Sequence, residues 1–154
     1  MSRLKFMLLG MLVLVSVFTL VGSAQQSGGV LNAAMTTNPP TLDPYISSTT
    51  ATAQVASYIF ESLVTYDGNY RIIPQIAENW DVSDDGLVYT FHLRPGIRFH
   101  NGKPLTSADV AASFTRFLNV SYRKAAFTEV KAFSAPDPLT FEVQLNTPIL
   151  FLMQ

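Results

Sequence analysis

Ser83–Phe114, SDDGLVYTFHLRPGIRFHNGKPLTSADVAASF, is the stretch whose reading decides the fold. Leu87, Tyr89, Phe91 and Leu93 alternate with Val88, Thr90 and His92, the period-two pattern of a strand with one buried face. Asp84-Asp85-Gly86 ahead of it predicts a tight turn back toward Trp80-Asp81-Val82. Beyond it, Pro95-Gly96 and Asn101-Gly102 are turn signals, the second suited to the positive φ angles of a type I′ turn, and Ile97–His100 between them reads as a short strand. Thr106-Ser107-Ala108-Asp109 then carries the pattern of a capped helix start. A carboxylate there is favoured by the positive end of the helix dipole. Val110, Phe114 and Phe117, with Ala111 and Leu118 alongside, supply the buried stripe of that helix.

Outward toward the C-terminus, a hairpin is expected from Thr128–Phe133, a turn at Ala135–Pro138, and a strand in which Leu139, Phe141, Val143 and Leu145 face inward. Thr147-Pro148 can open another helix, because proline is tolerated in a first helical turn. Outward toward the N-terminus, Asp67-Gly68 marks a turn. A helix is expected to begin at Thr49 or Thr50, with Val55, Ile59 and Leu63 on one face. Val30–Thr37 reads as a first strand, which Pro39 and Pro40 must end by removing backbone donors. The expected class is therefore α/β.

Several of these segments, taken together, resemble the first lobe of the extracytoplasmic solute-binding proteins of family 5, the receptors of peptide/nickel-type ABC importers. The likeness rests on the quoted stretch and on Gly28-Gly29-Val30-Leu31, Pro40-Thr41-Leu42-Asp43-Pro44, Phe60-Glu61-Ser62-Leu63, Ile76-Ala77-Glu78-Asn79-Trp80 and Leu139-Thr140-Phe141-Glu142-Val143. It implies a periplasmic-binding-protein-like lobe I (type II, cluster C) with a mixed sheet and a small antiparallel subdomain. It further implies a binding component that captures a peptide or related solute, such as a nickel chelate, opine or oligosaccharide, and delivers it to an ABC permease in the membrane. Members of the family have two lobes and are several times longer. Residues 25–154 are accordingly expected to be the N-terminal part of lobe I, lacking lobe II and the C-terminal return. The apolar run Ile149–Met153 at the end fits an interrupted chain, since exposed apolar stubs cost solubility. A monomer without cofactor or metal is the resulting expectation. A truncated, non-functional fragment is the alternative.

Residues 1–24 read as a cleavable signal peptide: Arg3 and Lys5, the apolar run Phe6–Val21, and Gly22-Ser23-Ala24 before Gln25. That run is shorter than the roughly 20 apolar residues that span a bilayer. Export to a periplasmic or other extracytoplasmic location follows. The sequence has 0 Cys, which removes both a lipoprotein anchor and disulfide stapling. Residues 25–154 carry 8 Lys/Arg against 11 Asp/Glu, so no basic face for nucleic acid is expected.

Candidate chemistry is sparse. His92 and His100 are the only histidines, too few for an ordinary zinc site, and in the family they belong to the framework. A small exported hydrolase would have to use one of them, without the Gly-x-Ser-x-Gly elbow that serine hydrolases show. Asp84-Asp85 reads as a solvated turn, and the Asn119-Val120-Ser121 sequon as chance. Tyr89 and Phe91 read as core, whereas Trp80 suits either core or a ligand-stacking surface. The loop Asn38–Tyr45 offers proline-freed backbone groups together with Asn38, Thr41 and Asp43, and the resemblance places it facing the cleft. Asp43 there either contacts ligand or only caps the loop. The candidate ligand-binding residues are thus Asn38, Pro40, Thr41, Leu42, Asp43 and Trp80.

Overall fold

The computed structural model describes residues 28–30 and 32–149. The expected signal peptide and most of the apolar run Ile149–Met153 lie outside the described residues. Two units divide the chain, residues 1–34 and 35–154. Of the first unit, residues 28–30 and 32–34 form neither helix nor strand. The strand expected over Val30–Thr37 is therefore not present in its described residues, and Val30 is 87% exposed. A strand persists only where a neighbour completes its hydrogen-bond ladder, and both sheets of the second unit are built without this segment.

In the second unit, α1 spans Thr50–Ala56 and is capped by Thr49, whose hydroxyl oxygen accepts the Thr52 N–H at 3.3 Å. Its buried residues are Ala51, Thr52 and Ala56, so the expected extension through Ile59 to Leu63 does not form. Residues 62 and 63 are claimed elsewhere: the Ser62 carbonyl accepts the Ile76 N–H at 3.1 Å and that of Leu63 the Ala77 N–H at 2.9 Å. Tertiary pairing thus overrides the helical period.

A two-stranded ribbon follows, β1 (Val64–Tyr66) against β2 (Ile72–Pro74). Its turn is organised by Asp67, whose Oδ1 accepts the amides of Asn69 at 2.8 Å and Arg71 at 2.9 Å. The residue driven into the left-handed region is Tyr70, at φ 60°, and Gly68 is not. That conformation costs an L-residue roughly 1–2 kcal/mol, and asparagine tolerates it better. Because the Tyr70 side chain is exposed, Tyr70→Asn is expected to raise stability by about 0.5–1 kcal/mol. A higher urea midpoint with an unchanged slope is the sign to look for, and a lower one contradicts the assignment of strain.

The main sheet has four antiparallel strands in the order β3–β4–β6–β5, with β3 Ala77–Val82, β4 Val88–Leu93, β5 Val130–Asp137 and β6 Thr140–Leu145. All strand pairs among the described residues are antiparallel. The β3–β4 turn is the one expected at Asp84-Asp85-Gly86: Gly86 has φ 70°, and Asp85 accepts the Ser83 hydroxyl at 2.6 Å and the Leu87 amide at 3.1 Å. Register places Trp80 beside Phe91 and Phe91 beside Phe141, so an aromatic row crosses three strands. Ala77, Phe91, Phe141, Val143 and Leu145 form the buried cluster.

The β5–β6 turn sits at Pro138-Leu139 and not over Ala135–Pro138. The ladder shifts between Ser134 and Asp137, so the irregularity absorbs Pro136, which has no N–H to give. Leu139, expected inside, is consequently a turn residue at 39% exposure. Ile97–His100 likewise shrinks to a single bridge between Arg98 and Pro104. Gly102 takes φ 82° while Asn101 stays out of the left-handed region, so the type I′ turn expected of Asn101-Gly102 does not form.

The second helix, α2 (Ser107–Val120), follows a capping box in which the Asp109 carboxylate accepts both the N–H of Thr106 at 3.0 Å and its hydroxyl at 2.8 Å. Buried Ser107 ties this end to the β5–β6 turn, its N–H reaching the Pro138 carbonyl at 2.9 Å and its hydroxyl that of Asp137. Val110, Ala111 and Phe114 pack on the sheet cluster as the stripe predicts. Phe114 is the aromatic hub, edge-on to Phe133 at 5.2 Å and to Phe141 at 5.7 Å. A 3-10 turn over Lys124–Phe127 links α2 to β5. The residues described after Thr147-Pro148 form no helix, and the remainder of that expectation lies outside the described residues.

Candidate functional site

The loop Asn38–Tyr45 is held at two points. At the first, the Thr52 hydroxyl of α1, fully buried, donates to the Thr41 carbonyl at 2.8 Å. At the second, Asp43 and Tyr45 dock on α2. Ser113, Arg116 and Phe117 lie at i, i+3 and i+4 and so share one helix face. Tyr45 meets all three: its hydroxyl lies 2.8 Å from Ser113 Oγ, the Arg116 guanidinium sits 5.5 Å from its ring centroid, and Phe117 packs edge-on at 5.4 Å. Arg116 also grips the Asp43 carboxylate with two nitrogens, Nη1 to Oδ1 at 3.3 Å and Nη2 to Oδ2. The Tyr45 carbonyl accepts the Tyr122 N–H at 3.0 Å, joining the loop to the segment just after α2.

Inside the loop, Thr41 Oγ1 accepts the Asp43 N–H at 3.1 Å and Asp43 Oδ1 accepts the Tyr45 N–H at 2.9 Å. The hydrogen bond from Arg116, seconded by that amide, holds the Asp43 carboxyl below the usual carboxylate range. Asp43 thus fastens the loop, which is the plainer of its two sequence readings. Asn38, Pro40 and Leu42 are left exposed. Among the described residues, the loop carbonyls bonded to a neighbouring element are those of Thr41 and Tyr45.

Trp80 lies on the sheet face that carries Phe91 and packs against the buried cluster. No ring contact or hydrogen bond among the described residues joins it to the loop, so the six candidate residues divide into a loop set and a sheet residue. The two histidines are also kept apart. His92 Nε2 lies 2.8 Å from Asp81 Oδ2 across β3 and β4, and His100 Nε2 lies 3.2 Å from the Ile59 carbonyl. Among the described residues neither is paired with a hydroxyl nucleophile. Arg116 and Tyr45 were missed by the sequence reading, since Asp43 and Arg116 stand 73 positions apart and nothing local announces their pairing.

The model of the bacterial extracellular solute-binding proteins, family 5, middle part, matches residues 71–154. Among curated proteins, the glutathione-binding protein GsiB of Pectobacterium atrosepticum is 33% identical over 70% of this chain and 21% of its own length. A probable peptide ABC transporter periplasmic-binding protein of Sinorhizobium fredii is 34% identical, over 73% of this chain and 21% of its own length. Among solved structures, the binding protein AgaA from Agrobacterium tumefaciens R10, in complex with agropinic acid, superposes with a TM-score of 0.68 at 35% identity. That match covers 72% of this chain and 23% of AgaA. The chain spans about a fifth of the length of the curated relatives it matches.

Proposed function

We propose, because the chain belongs to the bacterial extracellular solute-binding proteins of family 5, that it supplies one wall of a solute cleft in the binding component of an ABC importer, with a peptide-like solute as ligand. It acts outside the cytoplasm, following a cleaved signal peptide without lipid attachment, and works as a monomer that presents its ligand to a membrane permease. No bond of the ligand is made or broken. The exposed edge of the Asn38–Tyr45 loop, Asn38, Pro40 and Leu42, faces the solute. Thr41 and Asp43 give that edge its shape, and Trp80 packs against the sheet cluster.

The observation that carries this reading is the combination of a loop fastened at two points with an exposed outer edge. Fixed geometry lowers the ordering cost of binding, and exposed backbone groups suit peptide-like ligands. Relatives named for glutathione and for peptides favour that ligand class.

One wall buries far less ligand than the 70–90% typical of a closed site, so affinity for this chain alone is expected near 1 mM or weaker, of order 4 kcal/mol. Titration with glutathione and with trialanine, followed by amide chemical shifts, tests both statements. Shifts concentrated at residues 38–45 are expected. Shifts confined elsewhere, or none with either probe, overturn the reading, and micromolar affinity overturns the one-wall account.

A further inference from the structure

We infer that Arg116 is the positioning residue of the candidate ligand loop, acting through Asp43 and Tyr45 as a latch that can open without loss of the sheet. The inference rests on the proposed function only for the statement that this loop meets ligand. The latch itself stands on geometry.

Three contacts converge on one guanidinium. Two of its nitrogens hold the two oxygens of Asp43, and its Cζ lies 5.5 Å from the Tyr45 ring centroid. Such planar, two-pronged recognition is available to arginine and not to lysine. The Asp43 side chain is 24% exposed and that of Arg116 50%, so solvent screening limits the charge attraction and the geometry of the fork carries the contact.

The arrangement is graded. Asp43 Oδ1 is shared between the Tyr45 amide and Arg116, so the turn inside the loop and the docking of the loop on α2 are secured by one carboxylate. Loss of Arg116 leaves the Thr41 end fixed by the buried Thr52 hydroxyl. It frees the Asp43–Tyr45 end apart from Ser113, Phe117, the Tyr122 amide and the Thr41 Oγ1 that accepts the Asp43 N–H. The sheet cluster of Phe91, Phe141, Val143 and Leu145 does not include Arg116, Asp43 or Tyr45. Opening is therefore local.

Amide hydrogen exchange on the full 154-residue chain tests the latch without any ligand. In Arg116→Ala, the Asp43 and Tyr45 amides are expected to exchange about tenfold faster, the scale of one charged hydrogen bond lost. Amides in β4 and β6 keep their parent rates. Arg116→Lys falls between parent and alanine, because it retains the charge but not the fork. Asp43→Asn, which keeps an oxygen for the Tyr45 amide, gives the same loosening at residues 43–45 and guards against an uninformative alanine variant.

Unchanged exchange at Asp43 and Tyr45 overturns the inference. So does faster exchange throughout β4 and β6, which would make Arg116 a stability residue of the whole unit. Lysine equal to arginine overturns the two-pronged geometry. Glutathione titration of the same variants supplies the functional arm: weaker shifts at residues 38–42 in Arg116→Ala, partly restored in Arg116→Lys, support positioning, and equal shifts in all three overturn it. If the parent shows no shifts with either glutathione or trialanine, the proposed function fails while the exchange rates still decide the latch.

Discussion

Phe141→Ala is expected to destabilise the chain by about 3–5 kcal/mol, the range for removing a buried phenylalanine. Phe141 is 1% exposed at the centre of the sheet. Its ring lies 5.7 Å from Phe114 on the helix, 6.2 Å from Phe133 on β5 and 6.4 Å from Phe91 on β4, centroid to centroid. Truncation leaves a hole lined by three aromatic rings from three elements. These cannot all close on it, because two are fixed by strand register and one by the helix stripe. Small domains have roughly 5–15 kcal/mol in total, so this variant is expected to lose most of its folded population in mild urea. Leu139→Ala, two residues away in the turn, is the matched comparison and is expected to change stability by no more than about 0.5 kcal/mol. A Phe141→Ala variant within 1 kcal/mol of the parent by urea denaturation would contradict the core assignment.

The second large effect concerns Asp109. Its carboxylate accepts the Thr106 N–H and hydroxyl and receives Lys103 Nζ at 2.7 Å. Asp109→Ala removes one arm of the capping box and a favourable charge at the positive end of α2. A loss of about 1–2 kcal/mol is expected. Lys103, then Thr106, holds the Asp109 carboxyl below the usual aspartate range. A carboxyl depressed in the folded state contributes stability that is complete above its unfolded pKa and is lost as pH falls through the folded one. The Lys103 side chain is 60% exposed, so solvent screening keeps the ion-pair share of this small. Parent and Asp109→Ala should therefore differ most in urea midpoint near neutrality and converge in acid below the usual aspartate range. A gap that persists undiminished in acid would place the effect in helix propensity and not in the carboxylate.

What could be read in the chain follows from where structure is decided locally. The alternation around Phe91 and from Phe141 to Leu145 is imposed by the pleat, so the buried residues of β4, Phe91 and Leu93, and of β6, Phe141, Val143 and Leu145, fall on the expected face. Asp109 three positions after Thr106, and Gly86 in the turn, act within a few bonds and were equally plain. The expectations that moved were those settled at a distance. Leu63 has helical spacing from Val55, but its carbonyl is taken by Ala77. Pro136 suggested the turn itself, yet the strand takes it up as an irregularity because β6 continues to pair on either side. The loop at Asn38–Tyr45 was recognisable as a loop, and its fastening was not. Asp43 finds Arg116 only once α2 is packed, and no spacing rule connects two residues so far apart in sequence.

Strand order also has a kinetic meaning. The β3–β4 and β5–β6 ribbons each join neighbours in sequence and can zip up early, since short loops close at little entropic cost. The β4–β6 seam is different: it joins Phe91 to Phe141 only after the whole of α2 has been spanned. Sequence-distant pairing of this kind is slow, because loop closure precedes any contact that rewards it. Formation of that seam, with α2 laid across it, is accordingly expected to limit the folding rate, so that Phe141→Ala slows refolding.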